Sequence, residues 1–360
     1  MMFVPLCSHH FTSHHFTYLS SHVYVHTAQL IGYADPAANQ NLGDQLLWAG
    51  SNKLFQRFGK RAAVHCGGSQ SKNLVSSCLE KKDELVKVLG DGKGMIYFNP
   101  GGNWGDLYRH VQTSRFDVWK FANENSIKFV SGPQSIFYSG KGKSAMRDID
   151  FINQMSGKDL LTFRQHDSFE YAQTNYGNAT IVKESPDMAF MLGPQVEHDK
   201  TRVDVFLLVR QDGESKMQEH FENYDQVCKA VISKGYTCAI GDWKDTQMDR
   251  VKDFDKHSDE ETDHAYYSDI GVQLAISTIS IGELIVTDRL HGAILGFLMG
   301  KTVIYIDNSY KKLSAVFNTA FANKASCADT KTFGLFEAVN IAPHDLTKSI
   351  VHLLAKKRIH

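Results

Sequence analysis

Arg289 and His291 are the residues of this sequence best suited to chemistry on an anion. They follow a strand-like segment at residues 283–286 and come just before an apolar helix. The free N–H groups of a helix N-terminus attract anions, and positive side chains at the same place add to that attraction. Leu290 and Gly292 complete the turn, and the glycine lets the backbone approach a bound group closely. The turn therefore predicts an anion site.

The same turn also has a purely structural interpretation. Asp288 could pair with Arg289 while His291 caps the helix, and neither pairing would need a ligand. Two further arginines favour a ligand, because Arg164 follows one predicted strand and Arg210 follows another. Each could form a surface salt bridge. Three guanidinium groups at strand ends facing one cleft would instead suit the oxygens of a small dianion or trianion.

Two loops share the pattern Asn-x-Gly-Asp, at residues 41–44 and 103–106. Each follows a predicted strand and precedes a predicted helix, so the glycine permits the turn and the aspartate can cap the helix. Asp44 and Asp106 could also accept a proton from a sugar hydroxyl. The repetition of this pattern on two strand ends favours a shared cleft over two unrelated caps.

These residues need a scaffold, and the hydrophobic pattern predicts strands alternating with helices. Such alternation indicates right-handed βαβ units, a parallel sheet, and ligands at the carboxyl ends of its strands. The pattern breaks near residues 193–200 and then restarts, which predicts an α/β fold of two Rossmann-like domains facing across a cleft. The predicted divisions are a disordered His-rich leader at 1–27, an N-terminal domain at 28–195, a donor-binding C-terminal domain at 200–340 and a closing helix at 341–360.

The composition narrows the functional classes. Of 360 residues, 39 are Lys or Arg and 40 are Asp or Glu, so the net charge of −1 argues against nucleic acid as a partner. No apolar run approaches the roughly 20 residues of a membrane span. The six cysteines are scattered without a CxxC pair and are expected to be buried free thiols. The absence of a signal peptide predicts the cytoplasm, or the Golgi lumen if the protein is eukaryotic and an anchor is missing.

Taken together, the polar clusters resemble one known family. The motifs are N-L-G-D at 41–44, G-G-N-W-G-D at 101–106, G-P-Q-S at 132–135, F-R-Q-H-D-S at 163–168, P-D-M-A-F at 186–190 and T-D-R-L-H-G at 287–292. In this order they resemble the polysaccharide pyruvyl transferase family over roughly residues 28–310. Pro100 is a departure, because the family commonly has a third glycine there.

The resemblance implies an architecture similar to the two-domain glycosyltransferase-B enzymes. It also implies transfer of the pyruvyl group of phosphoenolpyruvate onto two hydroxyls of a glycan sugar. Galactose or an N-acetylhexosamine would be the acceptor, and the products would be a cyclic pyruvate ketal and phosphate. Phosphoenolpyruvate would be a co-substrate, with no further cofactor and no metal.

This chemistry suggests a role for each candidate residue. His291 would protonate the donor carbon or only bind its phosphate, and Asp106 or Asp44 would accept the hydroxyl proton. The expected donor-binding residues are Arg289, Leu290, His291, Gly292, Arg164, Arg210 and Asn103. Trp104 and Asp212 are expected on the acceptor side.

Two other classes of protein remain open from the sequence. A nucleotide-sugar glycosyltransferase of the same shape would use the same helix N-terminus for a diphosphate, and it would release UDP or GDP. A carbohydrate-binding relative without activity would bind sugar but not the donor.

Overall fold

The computed structural model describes residues 30–37, 41–67, 78–90, 92, 94–140, 142–155, 159–196, 202–210, 218–243, 263–307, 312–321, 335–338 and 343–358. The predicted leader and Asp212 lie outside the described residues.

The first half of the chain forms a parallel sheet with helices between its strands. The strands are β1 (Leu30–Ala34), β2 (Ala62–Cys66), β3 (Gly94–Phe98), β4 (Gly101–Gly105), β5 (Lys128–Phe137), β6 (Leu160–Phe163) and β7 (Ile181–Glu184). The helices are α1 (Leu42–Arg57), α2 (Lys82–Leu89), α3 (Arg109–Glu124), α4 (Lys143–Ile152) and α5 (His166–Tyr176). The strand order is β2-β1-β3-β5-β6-β7, and β4 also pairs with β5.

The second half forms another parallel sheet, which a 3₁₀ turn at Met188–Leu192 precedes. Its strands are β8 (Val203–Leu208), β9 (Cys238–Gly241), β10 (Gly282–Thr287), β11 (Thr302–Ile306) and β12 (Leu335–Ala338), in the order β12-β11-β10-β8-β9. The helices are α6 (Gln218–Ile232), α7 (Asp263–Ile279), α8 (Leu290–Leu298), α9 (Lys312–Phe321) and α10 (Pro343–Arg358). Two parallel sheets of this kind confirm the predicted fold class.

The two sheets share a hydrophobic core through α1. Leu46 and Phe55 of α1 belong to the same buried cluster as Ile276 of α7 and Leu295 of α8. Between α1 and α7 the backbones lie close, because a methyl group at Gly271 would come 2.6 Å from Cβ of Gln45. This packing fixes the two sets of strand ends relative to each other, which a site built from both sheets requires.

The region after β3 differs from its predicted loop. Pro100 interrupts the strand, but the chain then resumes as β4 and pairs with β5, with Gly101 opposite Gln134 and Trp104 opposite Ile136. Proline cannot donate a ladder hydrogen bond, so the break falls at that residue. The paired β4 carries Gly102 and Asn103 past the end of β3. Helix α9 and strand β12 were not predicted either.

The prediction of free thiols is wrong for four of the six cysteines. Cys66 and Cys78 form a disulfide with a Cα–Cα distance of 4.7 Å, and Cys228 and Cys238 form another at 5.6 Å. Each bond ties an edge strand, β2 or β9, to a nearby segment only 12 or 10 residues away in sequence. The spacing of the cysteines did not indicate these pairs, because the chain reversals that bring them together are tertiary features. In the segments that the structure describes, no helix has the length and apolarity to cross a membrane.

Candidate active site

Arg164 lies directly after β6 and is almost completely buried, with 1% of its surface exposed. Its Nε donates to Oγ of Ser135 at 2.8 Å, and its Nη1 donates to Oδ2 of Asp187 at 2.5 Å. The other terminal nitrogen, Nη2, faces Gly102, where an added methyl group would lie 3.2 Å away. Two nitrogens of the guanidinium therefore hold it in place, and the third points towards the space above Gly102.

Asp187 is the fully buried partner of Arg164. Its Oδ1 accepts a hydrogen bond of 2.9 Å from the backbone N–H of Ala189, at the start of the 3₁₀ turn. Burial by itself would raise the pKa of Asp187. The charges of Arg164 and His291 and the hydrogen bond from Ala189 outweigh burial, so the pKa lies well below its ordinary value. Asp187 is therefore a carboxylate under all ordinary conditions.

His291 brings the second sheet to this cluster. It lies in the first turn of α8, and its Nε2 is 3.5 Å from Oδ2 of Asp187 and 3.4 Å from Nη1 of Arg164. On the other side of the ring, Nδ1 lies against Gly43, so close that a methyl group on that glycine would overlap it. The imidazole is thus held between the N-terminus of α1 and the Arg164–Asp187 pair.

Lys312 adds a third cation from the start of α9. A methyl group at Gly102 would lie 3.2 Å from Nζ of Lys312, the same distance as from Nη2 of Arg164. The carboxylate of Asp307 anchors this helix start by accepting from the backbone N–H groups of Leu313 and Ser314 at 2.9 and 3.0 Å. The lysine and arginine nitrogens therefore approach the same glycine from different sheets.

The N-terminus of α8 is positioned by packing. Oγ1 of Thr287 accepts from the backbone N–H of Arg289 at 3.0 Å, whereas the side chain of Arg289 does not cap the helix. A methyl group at Gly292 would lie 2.7 Å from Cδ2 of Leu208, so this glycine allows α8 to pack on β8. Gly292 thus serves close helix packing, whereas the sequence suggested a close approach to a ligand. His291 and Leu290 occupy the first two positions of the helix.

Arg289 itself is part of a buried ion pair in the second sheet. Its Nε and Nη2 donate to the two carboxylate oxygens of Asp242 at 2.5 and 2.8 Å, and its guanidinium lies 5.7 Å from the ring of Trp243. Only 6% of its surface is exposed. The purely structural interpretation of the turn would pair Arg289 with Asp288, but the partner in the structure is Asp242, which follows β9. Its donor-binding role stays a prediction.

Asp288 instead supports the neighbouring strand end. It accepts from the backbone N–H of Arg210 at 2.9 Å. Burial raises the pKa of Asp288 to about 6, although the hydrogen bond from Arg210 and the charges of Arg289 and Arg210 act in the opposite direction. The backbone of Arg210 therefore lies next to the D-R-L-H-G turn, and its contact with the donor stays a prediction.

Of the other predicted residues, Asn103 is half-buried on β4, and its amide faces Gly101. Asp106 uses both carboxylate oxygens to accept from Ser139, at 2.8 Å from the backbone N–H and 2.8 Å from the hydroxyl. Asp44 lies in the first turn of α1, one residue after the glycine that touches His291. The carboxylate of Asp106 is thus engaged in holding the loop after β5.

The prediction that Trp104 stacks on an acceptor sugar is wrong. Its ring is completely buried and packs against aromatic side chains of the first sheet and its helices. These side chains are Phe116, Trp119, Phe163 and Tyr176. Residue 104 lies on the face of β4 that points into the core, so no ring surface remains for a ligand.

Two residues of the cluster had no role predicted from the sequence: Asp187 of the P-D-M-A-F motif and Ser135 of the G-P-Q-S motif. Lys312 follows the last predicted strand, where it could contact the donor or the acceptor or simply face solvent. Asp35 was also passed over as the end of β1. It adopts a left-handed conformation with φ of 62°. Burial raises the pKa of Asp35 to about 7; the negative charge of Asp44 also raises this pKa, whereas the positive charge of Arg115 lowers it. A non-glycine residue with positive φ at a strand end is a signal that only coordinates provide.

The fold and the site together define an α/β protein with two parallel sheets and cationic side chains at the strand ends of both sheets. The family model for "Polysaccharide pyruvyl transferase" matches residues 41–310. The chain belongs to this family, which confirms the resemblance found in the sequence motifs.

Relatives from a bacterium and a fission yeast agree with this assignment. EpsO of Bacillus subtilis (strain 168), provisionally named a pyruvyl transferase, is 27% identical over 300 residues, covering 80% of this chain and 84% of that protein. Pyruvyl transferase 1 of Schizosaccharomyces pombe is 26% identical over 301 residues, covering 81% of this chain and 68% of that protein.

The solved structures that resemble this chain have lower sequence identity to it than these relatives. An uncharacterized protein from Klebsiella pneumoniae gives a TM-score of 0.49 at 18% identity, covering 91% of this chain and 96% of that one. The heptosyltransferase II of E. coli gives 0.42 at 11% identity, covering 92% and 99%. Because both scores are below 0.5, the fold class rests on the strand order of this chain itself.

Proposed function

We propose that this chain transfers the pyruvyl group of phosphoenolpyruvate onto two hydroxyls of one glycan sugar. The observation that carries the proposal is the convergence of Arg164 and Lys312 on Gly102, with His291 3.4 Å from Arg164. Two cations and a protonatable group from both halves of the chain provide positive charge for one small polyanion. The family and the relatives named as pyruvyl transferases support transfer of a pyruvyl group.

In this proposal, Nη2 of Arg164 and Nζ of Lys312 bind the phosphate or carboxylate of the donor. The free N–H groups at the start of α8 add a favourable dipole. His291 then protonates the methylene carbon of the donor, which makes the neighbouring carbon electrophilic. Alternatively, His291 only binds the phosphate. Arg210 and Asn103 lie at neighbouring strand ends and complete the donor-binding set proposed here.

The reaction balances with two proton transfers. Two bonds form between the central donor carbon and the two sugar oxygens, and the bond from that carbon to the phosphate oxygen breaks. The sugar hydroxyls lose two protons. The methyl carbon of the product gains one proton, and the released phosphate carries the second. Asp44 is the proposed proton acceptor, and Asp35, whose charge interacts with it, is a second carboxylate on that side.

Phosphoenolpyruvate is the only co-substrate in this proposal, which includes no cofactor and no metal. The acceptor is a galactoside or an N-acetylhexosamine glycan. The two disulfides favour an oxidising compartment for the reaction, because disulfides persist mainly there.

The test is phosphate release from phosphoenolpyruvate with a panel of galactosides and N-acetylhexosamine glycosides, with product mass measured in parallel. Acceptor-dependent release is expected, and Lys312→Gln should reduce it strongly. Lys120→Gln is the matched control, because Lys120 is an exposed lysine of α3 that pairs with its helix neighbour Glu124. Release of UDP or GDP from nucleotide sugars, without phosphate release, would replace the proposal with the glycosyltransferase alternative.

A further inference from the structure

Asp187 lies between two cationic groups that belong to different sheets. One oxygen, Oδ2, is 2.5 Å from Nη1 of Arg164 and 3.5 Å from Nε2 of His291. The side chain is completely buried. A single carboxylate oxygen therefore faces one group from each half of the molecule.

We infer that Asp187 is a positioning residue that keeps the His291 imidazole oriented for the proposed pyruvyl transfer. The inference rests on the proposed function for its chemical consequence. Its physical basis is that a buried carboxylate, held on one side by Arg164, lies 3.5 Å from a ring nitrogen and restrains the ring there. The low pKa of Asp187 supports this, because it means that the negative charge is always present.

The other charged groups near His291 do not supply the attraction that Asp187 exerts on the ring, and Arg164 opposes it. Arg164 lies 3.4 Å from Nε2 and repels a protonated ring. Lys312 approaches the neighbouring Gly102 and is also positive, while Asp44 follows Gly43 on α1. Of the charged groups named here, Asp187 is the carboxylate in direct reach of Nε2. Removing its charge should therefore release the ring from this orientation.

The carboxylate of Asp187 weakens the binding of the proposed donor. Its negative charge repels an anionic substrate, so the site would bind phosphoenolpyruvate more tightly without it. A purely structural role is the competing explanation, since Oδ1 also caps the 3₁₀ turn through Ala189. The two explanations predict different kinetics.

Asp187→Asn keeps the size of the side chain and an oxygen for the Ala189 cap, but it removes the charge. If Asp187 positions His291, kcat should fall roughly 100-fold while KM for phosphoenolpyruvate stays the same or decreases. A rise in KM with an unchanged kcat would overturn the inference in favour of a structural role.

A second measurement does not depend on turnover. In protein labelled with ¹⁵N-histidine, the His291 signal can be identified by its loss in His291→Gln. Its ring ¹⁵N chemical shifts should change in Asp187→Asn, because Nε2 loses the carboxylate that faces it. Unchanged ring shifts would overturn the inference, whatever the activity. If wild-type protein shows no acceptor-dependent phosphate release, the proposed function fails, and the ring shifts still decide the pairing.

Asp159→Asn is the matched control. Asp159 is another buried carboxylate of the first half, accepting from Nε1 of Trp119, Nδ2 of Asn123 and the backbone N–H of Phe129. Its substitution should lower stability without changing the ring chemical shifts of His291. If Asp187→Asn does not fold, Asp187→Ser keeps an oxygen for the helix cap and again removes the charge, and the same two outcomes apply to it.

Discussion

Arg164 and Arg289 look equivalent in the sequence but differ in the structure. Each follows a strand of a parallel sheet, each is buried, and each pairs with an aspartate. Arg289 gives two of its nitrogens to both oxygens of Asp242, within its own sheet. Arg164 gives one nitrogen to Asp187 and one to Ser135, and its Nη2 faces Gly102 and the nitrogen of Lys312.

The difference teaches that the partner of a buried arginine decides what it can do. A forked pair with one carboxylate satisfies the planar guanidinium and fixes the backbone around it. A guanidinium held along one edge keeps another edge for a ligand. We therefore expect Arg164 to contribute mainly to donor binding, and Arg289 mainly to stability.

Arg164→Lys should produce the largest effect. Lysine keeps the charge but cannot reach Ser135, Asp187 and the donor at once. We expect kcat/KM for phosphoenolpyruvate to fall roughly 100-fold, which corresponds to a loss of about 3 kcal/mol in transition-state stabilisation. Steady-state kinetics with varied donor measures this. A loss confined to folding stability, with kcat/KM of the folded fraction unchanged, would remove the distinction between the two arginines.

Arg289→Lys tests the other side of the comparison. The variant loses the fork to Asp242, and a weakened buried ion pair should reduce the free energy of unfolding by about 2–3 kcal/mol. KM for the donor should change by less than about threefold. Urea unfolding and donor kinetics on the same preparation measure both quantities. A large rise in KM at unchanged stability would place Arg289 in the donor site.

Gly43→Ala changes the other wall of the histidine site. Its methyl group would overlap Nδ1 of His291, so the ring must move away from its place beside Asp187. We expect kcat to fall about tenfold, since misplaced catalytic groups act less efficiently. Gly296→Ala is the control, because its methyl group would meet Cγ2 of Val303 at 2.8 Å in the core. Equal kcat in both variants would show that the Gly43 contact is unimportant for His291.

Asp288→Asn should give the smallest effect, and one that depends on pH. The pKa of Asp288 is raised to about 6 in the folded protein, against about 4 when unfolded. The folded state therefore holds more protons between these values, and the carboxylate lowers stability as pH rises through this window. Asparagine removes the free-energy cost of ionising Asp288 in the folded protein, so the free energy of unfolding should increase by about 1 kcal/mol above pH 6. The increase is modest because the residue is partly exposed.

The same gain should be absent below about pH 4, where the carboxyl is neutral in both states. Unfolding curves at pH 8 and pH 4 measure the difference. A stability change that is equal at both values would mean that Asp288 acts through its hydrogen bond to Arg210 and not through its charge.

The sequence by itself determined the scaffold and the family. Alternation of apolar strands with amphipathic helices is a local pattern, so the predicted α/β fold with parallel sheets is the fold observed. The motifs at strand ends were likewise readable, because turns and helix starts require particular residue types. They identified Arg164 and His291, which the structure brings within 3.4 Å of each other.

Only the tertiary structure decided how those residues are paired. Asp187 and Asp242 are 23 and 47 residues away from their arginines, and nothing in the local pattern assigns one to each. The face of β4 on which residue 104 lies, and hence the burial of Trp104, depends on its register with β5. The disulfides and the approach of Lys312 to Gly102 depend on chain reversals and on packing between the sheets. Such contacts are set by the whole core, because side chains far apart in sequence meet only once it has formed.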